Sequence, residues 1–279
     1  MIIDSHTHIF PPSFRENREK YAELDATFRT LYSSPRARMA TAEELIEALD
    51  QANVDMAVVM GVGWTDRQVA MEANDYIIES AARYPSRIVG LCSVSPAWGG
   101  DSIAEIKRCA EKGVKGIGEL HPDTQGFDIG DQSVMSALME SARGLGLFVL
   151  THSSEPVGHQ YPGKGKTTPE KLYAFARNFP KNTIVCAHWG GGLPFYTLMP
   201  EVARDLDNVY FDTAASPLLY TQGIFSAVSA LTVADKVLFG SDFPLVKQAT
   251  LIKQLEAAGL PGDTPAKILG ENARRLLGM

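Results

Sequence analysis

Short aliphatic and β-branched runs alternate along the chain with stretches whose apolar residues recur at helical spacing. The runs predict strands at Met1–Asp4, Val54–Met60, Ile88–Val94, Val114–Leu120, Gly146–Leu150, Thr183–Ala187, Val209–Asp212 and Lys236–Gly240. Between and after them the spacing predicts helices over 42–52, 67–83, 102–112, 133–144, 169–178, 195–205, 222–230, 247–258 and 265–277. Segments such as Ala57-Val58-Val59-Met60 are apolar without alternation, which suits parallel strands covered on both faces. Boundary residues agree with this division. Thr41-Ala42-Glu43-Glu44 reads as a capping box, Gly113 as a helix-ending glycine, and Pro169 as a first helical residue that loses no hydrogen bond. Eight strands, each followed by a helix, predict one α/β domain over residues 1–279, a (β/α)8 TIM barrel. An open doubly wound sheet would carry a glycine-rich loop after its first strand, where this chain has His6-Thr7-His8.

One stretch breaks the alternation. Residues 10–40 hold Pro11-Pro12, several aromatics and five arginines, Arg15, Arg18, Arg29, Arg36 and Arg38. Following the first strand, this insertion belongs over the mouth of the barrel as a lid or pocket wall; a solvated surface excursion is the plain alternative.

The chain has 279 residues, 45% hydrophobic and 21% charged, so it can bury a full core. Its net charge of -7 argues against a nucleic-acid or anionic-membrane partner. No apolar run approaches the ~20 residues of a spanning helix, and the first residues do not resemble a secretory leader. The three cysteines, Cys92, Cys109 and Cys186, have neither disulfide-framework nor zinc-thiolate spacing. These features lead us to expect a cytoplasmic enzyme with a small-molecule substrate, no nucleic-acid or membrane partner, and a homodimer as its assembly.

Barrel chemistry sits where strands end. Five of the six histidines fall there: His6 and His8 after the first strand, His121 after the fourth, His152 after the fifth and His188 after the sixth. His6 and His8 are two apart, so an extended backbone aims both imidazoles at one spot, as a divalent metal requires. Asp242 ends the eighth strand, where a buried carboxylate needs a cation and could accept a proton from bound water; an N-cap role is the plain alternative. His188 precedes Trp189-Gly190-Gly191-Gly192 and reads as either a ligand or a general acid/base. Glu119, at the end of the fourth strand, reads as a further metal ligand, a partner for a cationic substrate group, or an acceptor for loop amides. His121, Trp98, Glu155 and His159 are candidate substrate contacts, and Asp212 a candidate partner orienting a histidine.

His6-Thr7-His8, His152, His188-Trp189-Gly190-Gly191 and Gly240-Ser241-Asp242 together resemble the amidohydrolase superfamily, in the branch that also holds aminocarboxymuconate semialdehyde decarboxylase. The resemblance spans nearly the whole chain. It implies a metal set of His6, His8, His152 and Asp242, and a proton-transfer or second-metal role for His188. Binuclear members add a bridging lysine or glutamate on strand four, for which Glu119 is the local candidate. The implied cofactor is one or two divalent ions, zinc foremost and manganese second. The expected reaction is hydrolysis of an amide, ester or lactone by metal-activated water, with Asp242 taking the proton. The alternative on the same site is non-oxidative decarboxylation of a small acid, with the arginines of 10–40 or the Lys164-Gly165-Lys166 loop as a cationic clamp. The compact length favours hydrolysis. A scaffold protein with a decayed site would have lost a ligand-type residue, and none is missing.

Overall fold

A computed structural model describes residues 1–231 and 233–279. Eight strands run parallel in sequence order: β1 Ile3–His8, β2 Met56–Met60, β3 Ile88–Cys92, β4 Gly116–Leu120, β5 Phe148–Thr151, β6 Ile184–Cys186, β7 Val209–Asp212 and β8 Val237–Leu238. The barrel closes where the N–H of Ser5 donates to the Phe239 carbonyl at 2.7 Å and Thr7 bridges Phe243 in parallel. This is the predicted TIM barrel.

Side-chain alternation divides the core. Met56, Val58 and Met60 point into the barrel with Ile3, Leu91, Phe148, Leu150, Val185 and Leu238. Ala57 and Val59 point outward against Leu45, Leu49 and Ile77 of the surrounding helices. Both faces of each strand are therefore covered, which is why the strand segments read as continuous apolar runs.

The capping box at Thr41 is formed in both directions: the Thr41 side chain accepts from the Glu44 N–H and the Glu44 side chain from the Thr41 N–H. The expected helix over 195–205 is two pieces, Leu193–Leu198 and Pro200–Asp205, because Pro200 cannot continue the first as a donor. The final helix contains one wide turn over Lys267–Glu271, where a Cβ on Gly270 would strike the Met1 carbonyl. β1 runs four residues beyond its expected end, because the Phe239–Phe243 segment continues to pair with it. His6 and His8 thus lie on the strand itself.

Residues 10–40 fold as three short helices, Pro12–Glu16, Arg18–Leu24 and Ala26–Tyr32. Phe10, Phe14, Tyr21 and Phe28 are buried around Trp64, which follows β2. Ring-centroid spacings of 5.6 Å (Phe14–Trp64) and 6.1 Å (Phe28–Trp64) show that the insertion has an aromatic core of its own, built on a residue that follows β2. Among the described residues no helix is long and apolar enough to cross a membrane.

Candidate metal centre

The strand ends bring His6, His8, Glu119, His152, His188 and Asp242 into one buried cluster, each no more than 9% exposed. Alternation along β1 aims His6 and His8 the same way, and their Nε2 atoms lie 3.1 Å apart. Gly240 makes this possible, since a Cβ there would stand 2.8 Å from the His6 Cβ. After β6 the backbone turns sharply, with positive φ at His188, Trp189, Gly190, Gly191 and Gly192. A Cβ on Gly191 would sit 2.4 Å from the Ser154 carbonyl, so the glycine lets the loops after β5 and β6 touch.

The outer nitrogens settle how the rings are protonated. His6 Nδ1 lies 2.8 Å from Asp212 Oδ2, His8 Nδ1 lies 3.1 Å from the Met60 carbonyl, and His188 Nδ1 lies 3.2 Å from the Ala214 carbonyl. Each partner only accepts, so each Nδ1 carries the hydrogen and each neutral ring turns a lone pair inward through Nε2. Between these lone pairs stands Glu119. Its Oε2 is 3.8 Å from both His6 Nε2 and His8 Nε2. Its Oε1 is 3.0 Å from His152 Nδ1 and 3.6 Å from His188 Nε2. Asp242 Oδ1 adds a further acceptor 3.3 Å from His8 Nε2 and 3.9 Å from His6 Nε2.

Two groups of ligand atoms thus share Glu119: His6, His8 and Glu119, and Glu119, His152 and His188. Lone pairs and carboxylates facing one another at these distances repel unless a cation lies among them. The donor set of imidazole and carboxylate, with no thiolate, suits a divalent ion, and the orphaned, buried Nε2 of His152 has no protein partner.

In the metal-free protein, protons answer the same demand. Burial alone would depress the His6 imidazolium, but Asp212, with Glu119 and Asp242, raises its pKa from 6.5 to about 10. Burial likewise opposes charge on His188, and Glu119 and Asp242 raise it to about 9. Burial would raise Glu119 and Asp242; the surrounding histidines instead hold both below the usual carboxylate range.

The remaining expected residues divide. His121 is buried and stacked flat on His152, with centroids 4.2 Å apart and planes 9° apart. Burial, then the His152 charge, depresses it to about 3, so it is neutral, and neither ring nitrogen has a protein partner. Glu155 accepts from the hydroxyls of Tyr161 at 3.0 Å and Tyr220 at 3.2 Å, outside the cluster. His159 is exposed on the same loop, and Trp98 donates to the Thr65 carbonyl at 3.1 Å; neither is in the cluster. The expected clamp is not assembled there either. Lys164 donates to the Val157 and His159 carbonyls, and among the described residues no lysine or arginine is buried at the cluster. His152 joins the cluster through Glu119, whose Oε1 lies 3.0 Å from its Nδ1.

Tyr32 was not singled out from the sequence. Burial, then the negative charges of Asp242 and Glu119, raises its phenol well above the usual range, and its ring packs on Phe10, 5.0 Å between centroids. It ends the last helix of an insertion without period, so no spacing argument could find it.

An amidohydrolase family model matches residues 3–279, and the chain belongs to that family. The 2-amino-3-carboxymuconate-6-semialdehyde decarboxylase of Dictyostelium discoideum is 24% identical over 332 aligned positions, covering 99% of this chain and 91% of the relative. The fold is also that of 5-carboxyvanillate decarboxylase from Sphingomonas paucimobilis, with a TM-score of 0.80, 18% identity and coverage of 100% and 99% of the two chains. A 5-carboxyvanillate decarboxylase from Novosphingobium aromaticivorans, solved with manganese and 4-hydroxy-3-methoxy-5-nitrobenzoic acid, matches with a TM-score of 0.79, 18% identity and coverage of 100% and 96%.

These findings correct the expectation of hydrolysis. The similar proteins are decarboxylases, and the likeness runs over 99–100% of this chain. The preference for zinc gains no support, whereas manganese is the ion in the Novosphingobium structure.

Proposed function

We propose that this protein is a metal-dependent decarboxylase of a small organic acid. The carrying observation is an inward-facing ring of metal-ligand lone pairs with a proton-holding imidazole, His188, at its edge. The full-length similarity to decarboxylases supports the choice of reaction.

His6, His8, Glu119 and Asp242 would hold the ion, with His152 joined through the other oxygen of Glu119. Manganese fits the mixed imidazole and carboxylate donors. An ion held there would supply Lewis-acid stabilisation of the charge left by the departing carboxylate.

The chain's own groups do the rest. Asp212 fixes the His6 ring through Nδ1 and accepts the backbone N–H of His188 at 2.9 Å, so one carboxylate aligns both. As the carbon–carboxylate bond breaks, its electron pair stays on carbon and carbon dioxide leaves. The carbon takes a proton from His188 Nε2, whose ring returns to the neutral form held by Ala214. Burial of the cluster keeps bulk water away from that transfer. His121 and Tyr32 offer neutral polar contacts to the substrate, with Glu155, His159 and Trp98 farther out on the surrounding loops.

Turnover in deuterium oxide tests the reading. Products should carry one deuterium on the carbon that lost its carboxylate. Release of an amine, alcohol or ring-opened lactone acid with no loss of carbon dioxide would refute it.

A further inference from the structure

A second concavity lies outside the catalytic cluster, between the lid and the turn after β8. Its volume is about 440 Å³, and Arg15, Arg18, Arg36, Arg38 and Lys247 line it with a single carboxylate, Glu44. Five cations against one anion is unusual in a chain whose acidic side chains outnumber basic ones by seven (33 against 26).

The partners of these cations sharpen the point. Arg15 is paired with Glu44 at 2.9 Å. Arg18 is turned to backbone carbonyls, including Ser34 at 2.9 Å and Ala37 at 3.2 Å, and keeps its full charge. Arg36, Arg38 and Lys247 are exposed and form no ion pair among the described residues. Lys247 also caps the N-terminus of the helix Gln248–Ala257, whose dipole adds to the positive field.

The other wall is apolar, with Pro35 and Pro244 open to the cleft over the largely buried Met39, Ala40 and Phe243. A cationic rim beside an apolar wall suits an organic anion better than an inorganic one, since phosphate would leave the apolar wall unused. The cleft also adjoins the site. Phe243 directly follows Asp242, and the Ala40 carbonyl accepts from Phe10, two residues beyond His8. The cluster itself holds the carboxylates Glu119 and Asp242, so an acid approaching it gains from a positive surface at the mouth.

We propose that this cleft is a separate binding site for organic carboxylate anions, poised beside the catalytic mouth. The identity of the anion as a substrate-class acid rests on the decarboxylase reading; the binding itself does not.

The test titrates benzene-1,3-dicarboxylate into manganese-loaded protein by calorimetry at low salt, with inorganic phosphate in parallel. The wild type should show two classes of dicarboxylate site. The triple variant Arg36→Glu, Arg38→Glu, Lys247→Glu should lose one class, weakened at least about tenfold, and keep the other. Arg29→Glu, on the same insertion but lining a different cavity, should keep both. Phosphate should fill the cleft at least about tenfold more weakly than the dicarboxylate. A single class in the wild type, two classes surviving charge reversal, or phosphate binding as tightly as the dicarboxylate would overturn the proposal. Because the readout needs no turnover, a failure of the decarboxylase reading leaves a distinct signature: binding at the cleft with no acid consumed.

Discussion

Asp212 lies 2.8 Å from Nδ1 of His6 and, through its other oxygen, 2.9 Å from the backbone N–H of His188. One carboxylate at the end of β7 therefore sets the ring of a β1 residue and the backbone of a β6 residue. Asp212→Asn keeps the shape but offers His6 a neutral partner that can present either an acceptor or a donor. Metal affinity should fall about 10- to 100-fold, measured by competition with a chelator. Unchanged affinity would show that Asp212 does not orient His6.

Glu119 is the shared member of both ligand groups. Glu119→Gln removes the charge while preserving volume, leaving four histidines around a neutral amide. Bound metal per chain should drop and activity should fall at least about tenfold. Metal content and rate both equal to wild type would remove Glu119 from the centre.

The raised pKa values of His6 and His188 give the metal-free protein a signed pH dependence. Both groups bind protons more tightly folded than unfolded. Their contribution to stability is thus complete below about pH 6.5 and is lost as pH rises toward the folded values of about 9 and 10. Melting temperature of the metal-free protein should fall across that window. Metal displaces the protons, so metal affinity should rise over the same interval. A melting temperature that climbs from pH 7 to 9 would contradict the assignment.

Phe28 is fully buried among Phe14, Tyr21, Tyr32 and Trp64. Phe28→Ala should cost about 3–5 kcal/mol. Because this aromatic cluster is the insertion's own core, amide exchange should quicken first over residues 12–32, with the strands protected. Uniform exchange across the barrel would show that the insertion has no separate stability.

Much of this site is legible in the sequence. Strand-end histidines, the two-residue spacing of His6 and His8, and the eight apolar runs follow from backbone periodicity, which sequence displays directly. The role of Glu119 did not, because a carboxylate at a strand end looks the same whether it faces a loop amide or four imidazoles. Tyr32 feels the charge of the cluster only through tertiary packing of the insertion, and Pro200 breaks a helix whose apolar spacing runs on through it. The choice of reaction is not legible in the residues for a chemical reason: hydrolysis and decarboxylation can be run on the same ligand set.

The most direct measurement follows carbon dioxide release from hydroxybenzoate and muconate-type acids by manganese-loaded protein, comparing wild type with His188→Asn. The account predicts carbon dioxide stoichiometric with the acid consumed, and a rate about 10²- to 10⁴-fold lower in the variant with its metal retained. Acid consumed without carbon dioxide, or a His188→Asn enzyme as fast as wild type, would contradict it.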